Sequence, residues 1–237
     1  MMGNLPASCE NKVYDGQARN LSLYFNGIVG KRILDVGCGT GNLGAALKRR
    51  ENECYGITIS KSEAELAKSK LTQVIIADIE TMQELPFPEH FFDVVIFADI
   101  LEHLKNPPHP LQLVKRYLKP QGLMITSIPN IANIRIRLNL LCGRFNYELV
   151  GILDNTHLRF FTMKTAKELL ISAGYIIQDI KFTNSDWRLP RPLRWLVSFR
   201  EWEIQRRLTH GWPKLFATQF IFYTTPSSNG FLTGEGS

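Results

Sequence analysis

Arg32-Ile-Leu-Asp-Val-Gly-Cys-Gly-Thr-Gly-Asn-Leu-Gly44 is the stretch from which the rest of this 237-residue chain is read. Ile33, Leu34 and Val36 form a short apolar run of the kind that makes a buried parallel strand. The run ends in Gly37, Gly39 and Gly41, whose missing side chains let the backbone turn sharply and come close to a ligand. From Asn42 to Arg50 the spacing predicts a helix with Leu43, Ala46 and Leu47 inward. Strand, glycine turn and helix make a nucleotide-binding unit, with the ligand at the strand's carboxyl end.

Two cofactor classes compete for that turn. Gly39, Gly41 and Gly44 also match G-x-G-x-x-G, which alone is a weak signal for a dinucleotide. Asp35 argues against that ligand. A carboxylate two residues before the first glycine suits a cation such as an amino group and repels a pyrophosphate. A dinucleotide site also wants an acid at the end of the next strand, about 20 residues on, and Thr58 stands there.

Asp35-x-Gly37-x-Gly39-x-Gly41 resembles the first motif of the class I S-adenosylmethionine-dependent methyltransferases, and the likeness runs from about Ile33 to the strand near Thr225. The resemblance implies that the glycine turn lies under the methionine part of S-adenosylmethionine and that Asp35 holds its amino group. Carried through the chain, it names a cofactor set of Asp35, Gly37, Cys38, Gly39, Gly41, Thr58, Ile59, Glu63, Asp78, Ile79 and Ala98.

The remaining strands follow in order. Cys54 to Thr58 reads as the second strand, and Ser60-Lys-Ser-Glu63 as a capping box opening a helix to about Leu71. Gly56-Ile-Thr-Ile-Ser60 resembles the variant found in cyclopropane fatty-acid synthases and some N-methyltransferases, where Thr replaces the ribose-gripping acid and a Gln three residues after the Ser contacts the ribose. Glu63 stands at that Gln position, and two roles are open to it: accepting the ribose hydroxyls or only completing the cap. Gln73 to Asp78 is a third strand ending in an acid. Asp78 would accept the adenine amino group while the Ile79 backbone reads the ring edge, or else it forms a turn.

Phe92 to Ala98 is a fourth, central strand. A helix follows from about Pro107 to Leu118, stopped by Lys119-Pro-Gln-Gly122, and Leu123 to Ser127 is the fifth strand. Thr165 to Ala173 is another helix, stopped by Gly174, and Tyr175 to Phe182 the sixth strand. Ala217 to Thr225 supplies the seventh, which in the resembled family runs antiparallel to the rest. The alternation predicts an α/β fold, a doubly wound, seven-stranded, mostly parallel sheet. Residues 1–30 form an N-terminal helical segment, 31–225 the main domain and 226–237 a disordered tail.

Two segments depart from the rhythm. Residues 129–156 are long for a connection in a compact domain and carry Arg135, Arg137 and Arg144 among Leu138, Leu140, Leu141, Phe145 and Tyr147, as an amphipathic lid would. Residues 184–214 form an insertion with all four tryptophans and, between Arg188 and Lys214, seven Lys or Arg against two Glu. The reading favoured here is a packed insertion with aromatics inward and Arg outward. A membrane-surface helix or a nucleic-acid contact is the alternative.

A formal charge of +6 and a pI near 9.2 favour an anionic partner. The four cysteines show no paired spacing and read as reduced thiols. Met1 to Tyr14 lacks the apolar core of a signal peptide, and no apolar run reaches the roughly 20 residues of a spanning helix. The expectation is a cytoplasmic enzyme.

Methyl transfer from a sulfonium needs the acceptor aligned, water excluded and, for a hydroxyl acceptor, a base. His103 follows the fourth strand and His157 follows the lid. These two are the catalytic candidates. A helix opening at Asp99 would put Asp99, Glu102 and His103 on one face. With His157 these residues would suit a divalent cation, as in the small-RNA 2′-O-methyltransferases and ubiquinone-pathway O-methyltransferases that the acid-x-x-Glu-His pattern resembles. The reading assigns no metal and keeps that group as a conditional alternative.

The function expected is O-methylation, by S-adenosylmethionine, of a small or medium-sized acceptor. From Ser127-Ile-Pro-Asn130 onward the chain looks like bacterial methyltransferases of cell-surface glycan or secondary-metabolite pathways, so glycan- and lipid-linked acceptors belong to the same reading. The rivals are an RNA 2′-O-methyltransferase with a divalent metal, favoured by the basic charge, and a non-catalytic cofactor-binding or membrane-surface scaffold. Steep salt dependence marks the first rival. Liposome binding through Trp195 to Arg207 without methyl transfer marks the second. The sequence sets no oligomeric state.

Overall fold

The strands β1 (Arg32–Val36), β2 (Glu53–Thr58), β3 (Gln73–Ile76), β4 (Phe92–Ala98), β5 (Leu118–Pro129), β6 (Tyr175–Phe182) and β7 (Gln219–Pro226) make one sheet in the order β3-β2-β1-β4-β5-β7-β6. The computed structural model describes residues 21, 23–25, 27–183 and 201–227. Cys9, Trp187, Trp195, most of the N-terminal helical segment, the first part of the basic insertion and all but the start of the tail lie outside the described residues. The chain packs as two units, residues 1–98 with 112–125 and residues 99–111 with 126–237.

In the first unit, β1 (Arg32–Val36) is flanked by β2 (Glu53–Thr58) and β4 (Phe92–Ala98), both parallel to it. A strand paired on both edges and covered on both faces must be apolar throughout. Ile33, Leu34 and Val36 are accordingly buried, each burial stabilising the fold by about 1.5–3 kcal/mol. Asp35 is the exception and stands in register with Gly56 on β2 and Ile96 on β4.

The helix α1 (Asn42–Lys48) starts from Gly41 at φ 77° and buries Leu43, Gly44 and Leu47. Ala46, expected inward, is only half-buried. A Cβ at Gly44 would sit 2.4 Å from Leu71 Cδ2 and 3.6 Å from Cys54 Cβ. The third glycine of the G-x-G-x-x-G match therefore serves packing.

Ser60 caps α2 (Lys61–Lys68) by accepting from the Glu63 amide. The expected capping box does not close, because the Glu63 carboxylate accepts the Thr58 hydroxyl instead. The strand β3 (Gln73–Ile76) stops two residues before Asp78, which lies in the following turn. After α3 (Pro108–Lys115), β5 (Leu118–Pro129) begins earlier than expected. Lys119-Pro-Gln-Gly122, read as a stop, lies inside the strand. The turn signal is nonetheless physical. A Cβ at Gly122 would meet Leu118 Cδ1 at 2.6 Å and the Lys119 carbonyl at 2.9 Å, a close approach that only glycine permits.

The second unit begins at Asp99, at φ 52° in the left-handed region. No α-helix opens there, and the chain forms a 3-10 turn over Leu101–His103. The lid helix α4 (Ile134–Leu141) is capped by Asn133, whose amide also donates to the Ala217 carbonyl, as does that of buried Asn130. The helix α5 (Met163–Ser172) starts earlier than expected because Thr162 and Thr165 form a reciprocal cap, and Gly174 at φ 84° ends it. β6 (Tyr175–Phe182) pairs antiparallel with β7 (Gln219–Pro226), Ile180 opposite Phe222.

Between these strands lie α6 (Glu201–Gly211) and α7 (Pro213–Phe216). Trp212, expected inward with the other aromatics of the insertion, is 64% exposed. It precedes Pro213, whose ring starts a new helix and turns the chain before the indole can be covered. Among the described residues no helix is long and apolar enough to cross a membrane.

Candidate active site

The first unit carries a glycine cradle. Gly37, Gly39 and Gly41 all have positive φ (76°, 50° and 77°), a backbone that side chains resist. The amides of Gly37 and Cys38 both donate to the Ile57 carbonyl at 2.9 Å, pinning the turn to β2. Cys38 fills the space beside Gly56, where a Cβ would come within 2.5 Å of its sulfur. Burial and the nearby Asp35 and Glu63 carboxylates push the Cys38 thiol far up, so it packs as a neutral group. Burial likewise pushes Cys54 up to about 12.

Asp35 lies 3% exposed beneath this turn, and burial raises its carboxyl to about 7. Among the described residues no cation pairs with it. A buried carboxyl in this state gains from a cationic ligand, which restores the charged form. Glu63 lies over the same turn. Its Oε2 accepts from Thr58 Oγ1 at 3.0 Å, and its Oε1 is 3.9 Å from where a Cβ on Gly39 would stand. Of the two roles left open for Glu63, the geometry removes the capping box and leaves a carboxylate over the glycines, suited to hydroxyl donors.

Asp78 uses Oδ1 to accept the Glu80 amide at 2.9 Å, so the turn-forming role is present, while Oδ2 has no described partner. Ile79 is buried, Ala98 half-buried, and Ile59, beyond the end of β2, presents an apolar side chain that is 71% exposed.

The second unit carries a cluster assembled from two distant segments. The Leu158 and Arg159 amides both donate to the Glu102 carbonyl, at 2.9 and 3.0 Å. That clamp brings the His103 and His157 rings to 4.8 Å between centroids. Glu102 is 1% exposed, neither carboxylate oxygen has a hydrogen-bond partner, and His157 Nε2 is 3.9 Å from Oε1. Burial, followed by the neighbouring Asp99, holds the Glu102 carboxyl well above the ordinary carboxylate range. Burial, then His103, pushes His157 below the ordinary histidine value.

The tautomers follow from the partners. His157 Nδ1 lies 3.1 Å from the Ile152 carbonyl, which can only accept, so the proton is on Nδ1 and Nε2 is bare. His103 Nδ1 faces the Thr156 carbonyl at 3.3 Å and hydroxyl at 3.2 Å. One ligand atom each from Glu102, His103 and His157 lies within 4.8 Å of the others. Two bare imidazole nitrogens beside an unsatisfied carboxylate can take a proton or hold a divalent cation.

Asp99 does not join them. With its backbone turned left-handed, its carboxylate accepts from Ser127 Oγ at 2.6 Å and from Gln219 Nε2 at 2.9 Å. Ser127 and Gln219, and likewise Asp154 and Thr156 behind His103, escaped the sequence reading. Only the Asp154-x-Thr156 spacing, an Asx-turn signal, could have pointed to any of them.

A methyltransferase-domain family model matches residues 34–126. The chain is 30% identical over 162 residues to the ubiquinone biosynthesis O-methyltransferase of Neisseria meningitidis, covering 65% of this chain and 67% of that protein. It is 28% identical over 160 residues to the protein of the same name from Psychrobacter arcticus, covering 65% and 62%. Against the Vibrio cholerae protein the figures are 34% over 112 residues, 44% of each. The chain thus spans 44% to 67% of the length of these curated relatives.

Among solved structures, a methyltransferase from Archaeoglobus fulgidus aligns with TM-score 0.58 at 20% identity, covering 90% of this chain and 93% of that one. A possible histamine N-methyltransferase from Thermotoga maritima aligns with TM-score 0.62 at 18% identity, covering 93% and 96%. Both share the fold. With the glycine cradle and the sheet order in agreement, the chain belongs to the class I S-adenosylmethionine-dependent methyltransferase family.

Proposed function

We propose that this chain transfers the methyl group of S-adenosylmethionine to a hydroxyl of a small-molecule acceptor. When bound, the cofactor supplies a methyl group already activated on a sulfonium. The residues of the cradle fit it. Asp35 has the burial and the raised carboxyl that a ligand amino group would relieve. Gly37, Gly39 and Gly41 keep the cradle open, with Cys38 filling the space beneath. Glu63, braced by Thr58, is assigned to the ribose hydroxyls. Asp78 Oδ2 and the Ile79 backbone are assigned to adenine, with Ile59 and Ala98 as apolar neighbours.

The observation that carries O-methylation is the pair of imidazoles, both tied at Nδ1 and both with Nε2 free, beside a buried carboxylate. A hydroxyl must lose its proton as the new bond forms, and a neutral imidazole near pH 7 is suited to take it. His157 is the base assigned here and His103 its partner. An imidazolium formed on His157, 3.9 Å from Glu102, would favour the charged form of that raised carboxyl and be stabilised by it in turn. The curated relatives' name supports a hydroxyl acceptor and points to a quinone precursor as the first class to try.

A cavity of about 410 Å³ in the second unit is lined by Arg137, Lys164, Lys167 and Lys214 with no acidic side chain. It supports an acceptor that carries an anionic group.

A second reading has one observation in its favour. Both Glu102 oxygens are buried without partners, a costly state that a cation would relieve. The donor set of one carboxylate and two imidazoles fits zinc, iron or manganese better than magnesium. In this reading Glu102, His103 and His157 hold the ion, and Asp99 is excluded because Ser127 and Gln219 occupy its carboxylate.

The test is transfer of labelled methyl from S-adenosylmethionine to hydroxylated quinone precursors, with and without chelator. Transfer to oxygen that survives chelation supports the base reading, and transfer abolished by chelator and restored by manganese or zinc selects the metal. Label appearing on nitrogen or carbon overturns the O-methylation assignment.

A further inference from the structure

We propose that Asp154 is a positioning residue that fixes the tautomer of His103 through Thr156. The inference rests on the reading of His103 and His157 as the working imidazoles, and it concerns what holds one of them in its working form.

Asp154 is 4% exposed, and its Oδ1 accepts twice from the same residue. The Thr156 amide donates at 2.8 Å and the Thr156 hydroxyl at 2.6 Å. The second bond is short and charge-assisted, so the only proton on Thr156 Oγ1 is committed to Asp154. Toward His103, the Thr156 hydroxyl is left with lone pairs alone, and the Thr156 carbonyl has nothing else to offer. Both face His103 Nδ1, at 3.2 and 3.3 Å. Two acceptors at one ring nitrogen require the proton there, and Nε2 must then be bare.

His157 reaches the same state by a shorter route, a single backbone carbonyl. Both imidazoles thus face a backbone carbonyl at Nδ1, and only His103 has a second, side-chain acceptor there, whose orientation Asp154 holds. Outer groups of this kind orient working histidines, and their loss typically costs about 10–100-fold in activity or metal affinity.

Remove Asp154 and the Thr156 hydroxyl is free to turn its proton toward Nδ1, where it competes with the Thr156 carbonyl that favours the proton on the ring. The opposite tautomer, with the proton on Nε2, then becomes accessible. Removing the hydroxyl as well takes that new donor away, so the relay predicts that the second substitution reverses the first.

The test is long-range proton–nitrogen correlation NMR on the ring nitrogens of His103 in the full chain at neutral pH, with no acceptor present. The wild type should show a protonated Nδ1 and a bare Nε2. Asp154→Ala should bring in the Nε2–H form as a substantial fraction. Asp154→Ala with Thr156→Val should return the ring towards the wild-type pattern, and Thr156→Ser should match the wild type. Turnover in Asp154→Ala should fall about 10-fold with adenosylhomocysteine affinity within twofold of wild type.

Should Asp154→Ala fail to fold, Asp154→Asn carries the test, because an amide oxygen still takes the Thr156 amide but holds the hydroxyl less firmly. A wild-type tautomer in the folded Asp154 variant overturns the proposal, as does a double variant no closer to wild type than the single. Full turnover in His103→Ala would instead remove the catalytic reading of that ring and leave the NMR result to judge the relay separately.

Discussion

The glycine cradle and the histidine cluster are built in opposite ways. The cradle is continuous in sequence: Asp35 to Gly41 lie within one strand and one turn, and Glu63 comes from the next helix over the parallel neighbour β2. Its geometry follows from local backbone rules, positive φ at three glycines and a buried strand before them. The cluster joins residues 102–103 to residues 154–157, and the link is a pair of backbone amides on one carbonyl. Local rules make the first; only long-range closure makes the second. The difference also shows in charge, since Asp35 is a lone buried acid suited to a cation, whereas Glu102 shares its burial with two imidazoles.

The largest expected effect breaks the cradle alone. Gly39→Arg forces a long side chain into a backbone at φ 50° beneath the Glu63 carboxylate. Calorimetry with adenosylhomocysteine should detect no binding, while circular dichroism stays near wild type. Measurable affinity in that variant would mean the ligand does not use this turn.

Next comes the cluster alone. His157→Ala should lower kcat by about 10²–10⁴-fold, the usual contribution of a positioned acid or base, and leave cofactor affinity within twofold. Normal turnover would strip His157 of its role.

Asp35→Asn sharpens the contrast because its two effects oppose each other. Cofactor affinity should drop about 10–100-fold with the loss of a charge-assisted contact. Stability of the cofactor-free chain should rise at pH 8. The folded carboxyl is raised from 3.8 to about 7, so between those values the folded state holds a proton that the unfolded state has released. The stability that this proton supplies is lost as pH climbs from about 4 to about 7, a cost on the order of 4 kcal/mol. The wild type should lose stability across that window and Asp35→Asn should not, as urea titrations at pH 5 and pH 8 would register. Cofactor affinity of the wild type should weaken as pH falls below about 7, because the neutral carboxyl no longer attracts a cation.

The smallest effect concerns packing beneath the cradle. Gly56→Ala places a methyl group 2.5 Å from the Cys38 sulfur and 2.7 Å from Leu71, which should cost about 1–3 kcal/mol. Cofactor affinity should weaken in step, because Cys38 lies within the turn. A stable variant with unchanged affinity would separate the turn from the core beneath it.

Acidic and apolar residues around the cradle were legible because each obeyed a periodicity or a backbone constraint over a few residues. Ile33 to Val36 reads as a central strand wherever it occurs, and Gly37, Gly39 and Gly41 announce a turn that other residues resist. Even there, side-chain partners went beyond the pattern. Ser-x-x-Glu at 60–63 promised a reciprocal cap, but Thr58 offered the Glu63 carboxylate a closer donor.

Asp99 shows the limit more sharply. Helical spacing put it with Glu102 and His103, but a left-handed φ turned it to Ser127 and Gln219, residues 28 and 120 positions away. The sequence by itself determined the strand-turn-helix unit, the alternating α/β order and the family, because these depend on local propensity and burial. Which acid stands by the histidines, which ring nitrogen carries the proton and where Trp212 faces were decided by the tertiary structure alone, because each depends on a partner distant in sequence or on how the folded chain covers a side chain, and no local rule specifies either.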